Sequence, residues 1–143
     1  MIENLYEYFL PEQEFYLHKI MYDRIDSISS KEAFVLNCAD NINVEISEKN
    51  EVRVIVTRTL SFEPEEMFYL VVAFGANLKF DPRKVNEYNW HEVNMAEEFR
   101  DNGNFVTDNL MSRISLMIAQ ITSSFGQAPL VLAPSVAKNV NSQ

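Results

Sequence analysis

The strongest pattern in this chain lies between Glu51 and Phe80, in EVRVIVTRTLSFEPEEMFYLVVAFGANLKF. Val52, Val54 and Val56 recur at every second position, with Arg53, Thr57 and Arg58 among them. A strand sends alternate side chains to opposite faces, so this reads as a half-buried strand. Phe62-Glu63-Pro64-Glu65 reads as a turn, and the run from Met67 to Phe74 is apolar at almost every position. A strand tolerates that only when both of its faces are covered. Together the two runs predict a hairpin whose second strand is central in a sheet.

Weaker patterns flank the hairpin. Met1 to Glu14 is acidic and aromatic, with Leu5, Tyr8 and Phe9 near a helical spacing and Pro11 as its stop, which predicts a short helix or arm. Phe15 to Ile28, FYLHKIMYDRIDSI, lacks clean alternation but is rich in Tyr, Phe and Ile, which favours a strand with a bulge. Ser29 to Asp40 reads as a connection with an apolar middle at Phe34, Val35 and Leu36. Ile42, Val44 and Ile46 alternate with Asn43, Glu45 and Ser47 as a strand, and Glu48-Lys49-Asn50 turns into the hairpin.

Beyond Phe80, Asp81-Pro82 ends the sheet, and a polar loop follows with a short helical piece around Met95 to Arg100. From Thr107 to Phe125, residues Leu110, Ile114, Met117, Ile118, Ile121 and Phe125 fall on one helical face, and Gly126 suits the left-handed position after the last turn. An extended apolar strip lies between Pro129 and Pro134. The fold class expected is therefore α+β: a four-stranded antiparallel sheet followed by one long helix packed on one face. Residues 1–14 form the arm, 15–136 the domain and 137–143 a tail, with no internal repeat. Past Asp108 the only charge on the long helix is Arg113, and Met111 and Leu116 lie off its main stripe. One sheet cannot cover so much apolar surface, so a second copy of the chain is expected against it.

Composition narrows the function. At 143 residues the chain is one domain's worth. Cys38 is alone, so no intrachain disulfide forms and a reducing, cytoplasmic setting is expected. No basic leader precedes an apolar core, and no run approaches the roughly 18 apolar residues of a membrane helix. A net charge of -9, from 21 acidic and 12 basic residues, opposes association with nucleic acids. Membrane insertion is likewise not expected.

Candidate chemistry is sparse. His91-Glu92-Val93-Asn94-Met95 begins like a zinc-protease motif but lacks the second histidine, and His18 is far away in sequence. Cys38 has no basic neighbour in sequence to activate it. Three glycines, Gly75, Gly103 and Gly126, cannot assemble a phosphate-cradling loop. Glu65-Glu66 and Glu97-Glu98 read as solvated surface. Neither catalysis nor a cofactor or metal is expected.

The order of elements, with FYLHKI at Phe15 to Ile20, the Val52 to Thr57 strand, the Phe68 to Phe74 strand running into Gly75, and Leu130-Val131-Leu132-Ala133-Pro134 after the helix, resembles the SecB-type protein-export chaperones from about Phe15 to Val136. The resemblance implies a homotetrameric holdase, a dimer of dimers that keeps unfolded polypeptide clients from aggregating without cofactor or nucleotide. It gives the interface between copies to Met111, Ile114, Leu116, Met117, Ile118 and Ile121. It gives an apolar peptide-binding groove to Phe34, Leu36, Ile42, Val44 and Ile46, although Val44 and Ile46 serve equally well as plain core. Non-directional apolar contact suits clients of unrelated sequence.

Two departures from the family pattern matter. Its acidic docking positions for the SecA export motor fall here on Arg24, Ile28 and Val71, which argues against that docking. Its amphipathic last helix is reduced to Ser135 to Gln143. The competing reading is a dedicated interaction module of the same fold with one specific partner, antitoxin-type or regulatory. The outer side of the central strand, at Val71 between Tyr69 and Ala73, then needs cover from Met1 to Leu10 or from another protein.

Overall fold

A computed structural model describes residues 1–26, 35–63, 67–125 and 129–136. Four strands, β1 (Phe9–Ile25), β2 (Val35–Ile46), β3 (Glu51–Glu63) and β4 (Met67–Phe80), make one antiparallel sheet in the order β1-β4-β3-β2. Two helices, α1 (Met95–Asn102) and α2 (Asn104–Ser123), follow. Short 3-10 turns cover Leu5–Tyr8, Val85–Glu87 and Trp90–Glu92. The expected α+β class and the central place of the hairpin's second strand are both observed.

The hairpin registers Val52 with Leu78, Val54 with Ala76 and Leu60 with Leu70. Paired residues share a face, so these apolar positions form one inner surface, and α2 lies on it along β4 and β3. Leu110, Met111, Ile114 and Ile118 of α2 have no exposed surface at all. At roughly 1.5–3 kcal/mol for each fully buried side chain, this stripe is a principal source of fold stability. Asn94 caps α1 by accepting the Glu97 N–H at 3.3 Å. Gly103 sits between the helices because a Cβ there would lie 2.4 Å from the Phe99 carbonyl oxygen.

Four expectations change. β1 begins at Phe9 and passes through Pro11, where no stop occurs, because Pro11 lies in a break of the pairing with β4, between Phe9↔Phe80 and Gln13↔Leu78, where its missing N–H costs no ladder bond. Its alternation is unclean because the register steps from Leu17↔Phe74 to Lys19↔Ala73, leaving His18 as a bulge. Val35 to Asp40 is the first half of β2, paired with β3 from Glu63 to Arg58, and is not a connection. The long helix starts at Asn104 and ends at Ser123. Ile28, Phe34, Gly126 and the tail 137–143 lie outside the described residues.

The outer face of β4 carries the last change. Val71 and Ala73 are buried there, on the side away from the core cluster that the arm and the helices share with the sheet. The arm packs on the helix side: Ile2, Leu5 and Tyr8 belong to the core, and the Ile2 N–H meets Glu98 Oε1 at 2.6 Å. The outer row Val71, Ala73, Gly75 is low, and longer neighbours close over it. Tyr16 of β1 leans so far across that a Cβ on Gly75 would sit 2.4 Å from its ring, and Arg53 of β3 donates to the Tyr16 hydroxyl at 2.8 Å.

Candidate functional site

β2 is the strand to which sequence assigns the groove, and it is an edge of the sheet. Register with β3 pairs Leu36 with Phe62, Ile42 with Val56, Val44 with Val54 and Ile46 with Val52. All four named β2 residues therefore face the helices in one row. Ile42 is buried in the core, whereas Leu36, Val44 and Ile46 are half-buried. Val44 and Ile46 line an open cleft of about 310 Å³ together with Asn43, Trp90, His91, Val93, Asn94, Met95 and Ala96. The far wall is the segment entering α1, fixed by the Trp90 indole N–H donating to the Val85 carbonyl at 2.8 Å. Trp90, Val93 and Met95 were not expected at this site. Their scattered spacing in a polar loop gives no periodic signal.

The same inner row contains two charges, Asp40 on β2 opposite Arg58 on β3. The Asp40 side chain is fully buried and Arg58 is 2% exposed. The guanidinium grips both carboxylate oxygens, Nε to Oδ1 and Nη2 to Oδ2, each at 2.8 Å. Its remaining reach goes to the strip after α2: Nη1 donates to the Ala133 carbonyl at 3.0 Å and Nη2 to that of Ser135 at 2.9 Å. The strip is also tied to α2, since the Ser115 hydroxyl donates to the Leu132 carbonyl at 2.7 Å and the Leu130 N–H donates to Thr122 Oγ1 at 2.8 Å. Leu130, Leu132 and Val136 pack on the core while Val131 stands out, 72% exposed. A buried ion pair stabilises little unless its hydrogen bonds are complete, and here the strip helps to complete them. The sequence did carry a signal for Arg58: it continues the inward phase of Val52, Val54 and Val56, where a charge needs a partner.

Cys38 lies beside this pair, half-buried, and burial pushes its thiol pKa up despite the neighbouring guanidinium. That is the opposite of an activated nucleophile. Among the described residues no three His, Cys, Asp or Glu side chains gather in a way that could hold a metal ion. No helix among them is long and apolar enough to cross a membrane.

The residues that sequence assigns to contact between copies divide. Met111, Ile114 and Ile118 are fully buried within one chain and present nothing outward. Met117 and Ile121 are half-buried, and Leu116 is 61% exposed. The apolar surface left open is elsewhere, on the β1 edge. Leu17, Ile20 and Tyr22 face the helix side and Met21 the outer side, all in part exposed, with the Tyr22 ring 5.3 Å from that of Phe125 just past the end of α2. Of the docking positions, Val71 is buried and Arg24 pairs with Asp26 at 3.0 Å.

Compared by sequence, the chain matches no family model and no curated protein. Compared by structure, it aligns with the Mycobacterium tuberculosis SecB-like chaperone Rv1957, solved in complex with a ChAD peptide from the Rv1956 HigA1 antitoxin. That alignment has a TM-score of 0.66 and 10% identity, over 90% of this chain and 92% of that one. A protein of unknown function from Streptococcus agalactiae aligns with a TM-score of 0.46 and 8% identity, over 85% of this chain and 95% of that one. The alignment with Rv1957, over nine-tenths of both chains, gives this chain a SecB-like fold.

Proposed function

We propose that this chain is a SecB-like chaperone that holds extended segments of unfolded polypeptide against the inner row of β2, by binding alone and without cofactor, nucleotide or covalent chemistry. The observation that carries the reading is the emergence of that row from the core into an open cleft, where Val44 and Ile46 meet Trp90, Val93 and Met95. Apolar side chains of a client fit there without a demand for one sequence. The structural neighbour with a bound peptide supports the same use of the fold. The chain works as a dimer or tetramer in the cytoplasm, with copies meeting along the β1 edge through Leu17, Ile20, Met21 and Tyr22 and along Leu116 of α2.

A narrower reading, one dedicated partner and no general export, is favoured by two facts. The neighbour's peptide comes from an antitoxin, and Arg24 and Val71 stand where an export-motor docking face needs acids. Aggregation assays with several unrelated denatured proteins separate the two. The general chaperone protects all of them at stoichiometric ratio, and Val44→Asp or Ile46→Asp abolishes protection while the fold persists. Protection of none of them would leave the single-partner reading.

A further inference from the structure

We propose that the channel between α2 and the β2–β3 side of the sheet reads the backbone of an extended polypeptide, and that residues 129–136 of the chain itself occupy it as a stand-in. This deepens the polypeptide-binding reading and rests on it. The strip from Pro129 to Val136 is neither helix nor paired strand. It lies with Leu130 and Leu132 turned to the core and Val131 turned out, the alternation of an extended chain. Four hydrogen bonds hold it, and each ends on its main chain: Thr122 Oγ1 takes the Leu130 N–H, the Ser115 hydroxyl meets the Leu132 carbonyl, and Arg58 meets the carbonyls of Ala133 and Ser135.

Such contacts do not read side chains. The carbonyls that Arg58 engages are two residues apart, on either side of a bend at Pro134 and Ser135, while Leu130 to Leu132 alternate as an extended chain does. A client with two alternating apolar residues and a bend after them offers the same acceptors and the same inward side chains. Departure of the strip with no replacement leaves the inner guanidinium short of acceptors beyond Asp40, at a desolvated position. Exchange of one extended segment for another avoids that cost. Val44 and Ile46, at the open cleft, lie further along the same β2 row, past the buried Ile42.

The test uses the full chain and an end-blocked, dye-labelled synthetic peptide, PLVLAPSV, the sequence of residues 129–136. Fluorescence polarisation should show saturable binding, and amide hydrogen exchange at Leu130 should speed up as the peptide saturates. Leu132→Ala in the chain, which loosens the strip's own seat on the core and leaves the channel walls unaltered, should bind the peptide about tenfold more tightly. Arg58→Lys keeps a charge for Asp40 but loses the fork, and should bind it about tenfold more weakly. Unchanged exchange at Leu130 under saturating peptide, or no gain in Leu132→Ala, overturns the stand-in. If denatured proteins are still protected in that event, the chaperone reading survives alone. If neither peptide nor denatured protein binds any variant, both fall.

Discussion

The two edges of the sheet finish themselves in opposite ways. β2 is short, carries Asn37, Asn41, Asn43 and Asp40 among its residues, and has its inner row closed by the strip at one end and by the Trp90–Ala96 segment at the other. β1 runs 17 residues and leaves Leu17, Ile20, Met21 and Tyr22 in the open. An edge capped by small, replaceable pieces can bind and release, whereas a bare apolar edge favours lasting association. On the proposed reading the two margins serve two kinds of interaction, and the stripe of α2, buried within one chain, is left to the fold.

The largest test of that division is Ile118→Asp. A charge placed in the core between helix and sheet should cost more than about 4 kcal/mol, so urea unfolding should show no folded baseline. A folded variant of reduced mass by light scattering would move the stripe back to an interface. Next in size, Asp40→Ala leaves Arg58 charged, buried and half-partnered, and should cost about 3–5 kcal/mol in the same assay. The double variant Arg58→Met/Asp40→Leu should recover most of that loss, and failure to recover it would place the cost in packing.

Gly75→Ala tests the closing of the outer face at Gly75 by the Tyr16 ring. The new methyl collides with the Tyr16 ring, which must swing away from Arg53, at an expected cost of about 1–2 kcal/mol in thermal unfolding. Removing the ring as well, with Tyr16→Ala, should relieve the clash. The smallest effect on stability belongs to the β1 margin: Leu17→Lys with Ile20→Lys should change it by less than about 0.5 kcal/mol. The same pair should lower the mass of the assembly measured by light scattering, and unchanged mass would take the association away from this edge.

Much of the fold was legible because apolar periodicity reports burial directly. Val52, Val54 and Val56 announced β3, the unbroken run to Phe74 announced the central strand, and the Leu110 to Ile118 stripe announced α2. Illegible parts share one cause, contacts between residues distant in sequence. Val35 to Asp40 did not look like a strand because Asp40 occupies an inward position that only Arg58, 18 residues on, makes tolerable. The stripe of α2 looked too apolar for one chain because its cover includes α1 as well as the sheet, and α1 gives little signal in the sequence. On the candidate site, alternation found Val44 and Ile46, but the opposite wall at Trp90 to Met95 is built from a loop without period.

The bulge at His18 has a consequence for how this chain tolerates change in length. Ahead of it, Phe15 and Leu17 point to the helices; behind it, Ile20 and Tyr22 do so, and His18 is the residue that matches no partner between them. Loss of His18 restores plain alternation and keeps both halves facing as they do now. Loss of any fully paired neighbour, Ile20 for instance, inverts one half and turns Lys19 or Asp23 inward. Within the paired stretch from Gln13 to Ile25 this is the place where parity is free, and circular dichroism of the two deletions should find one folded protein and one not.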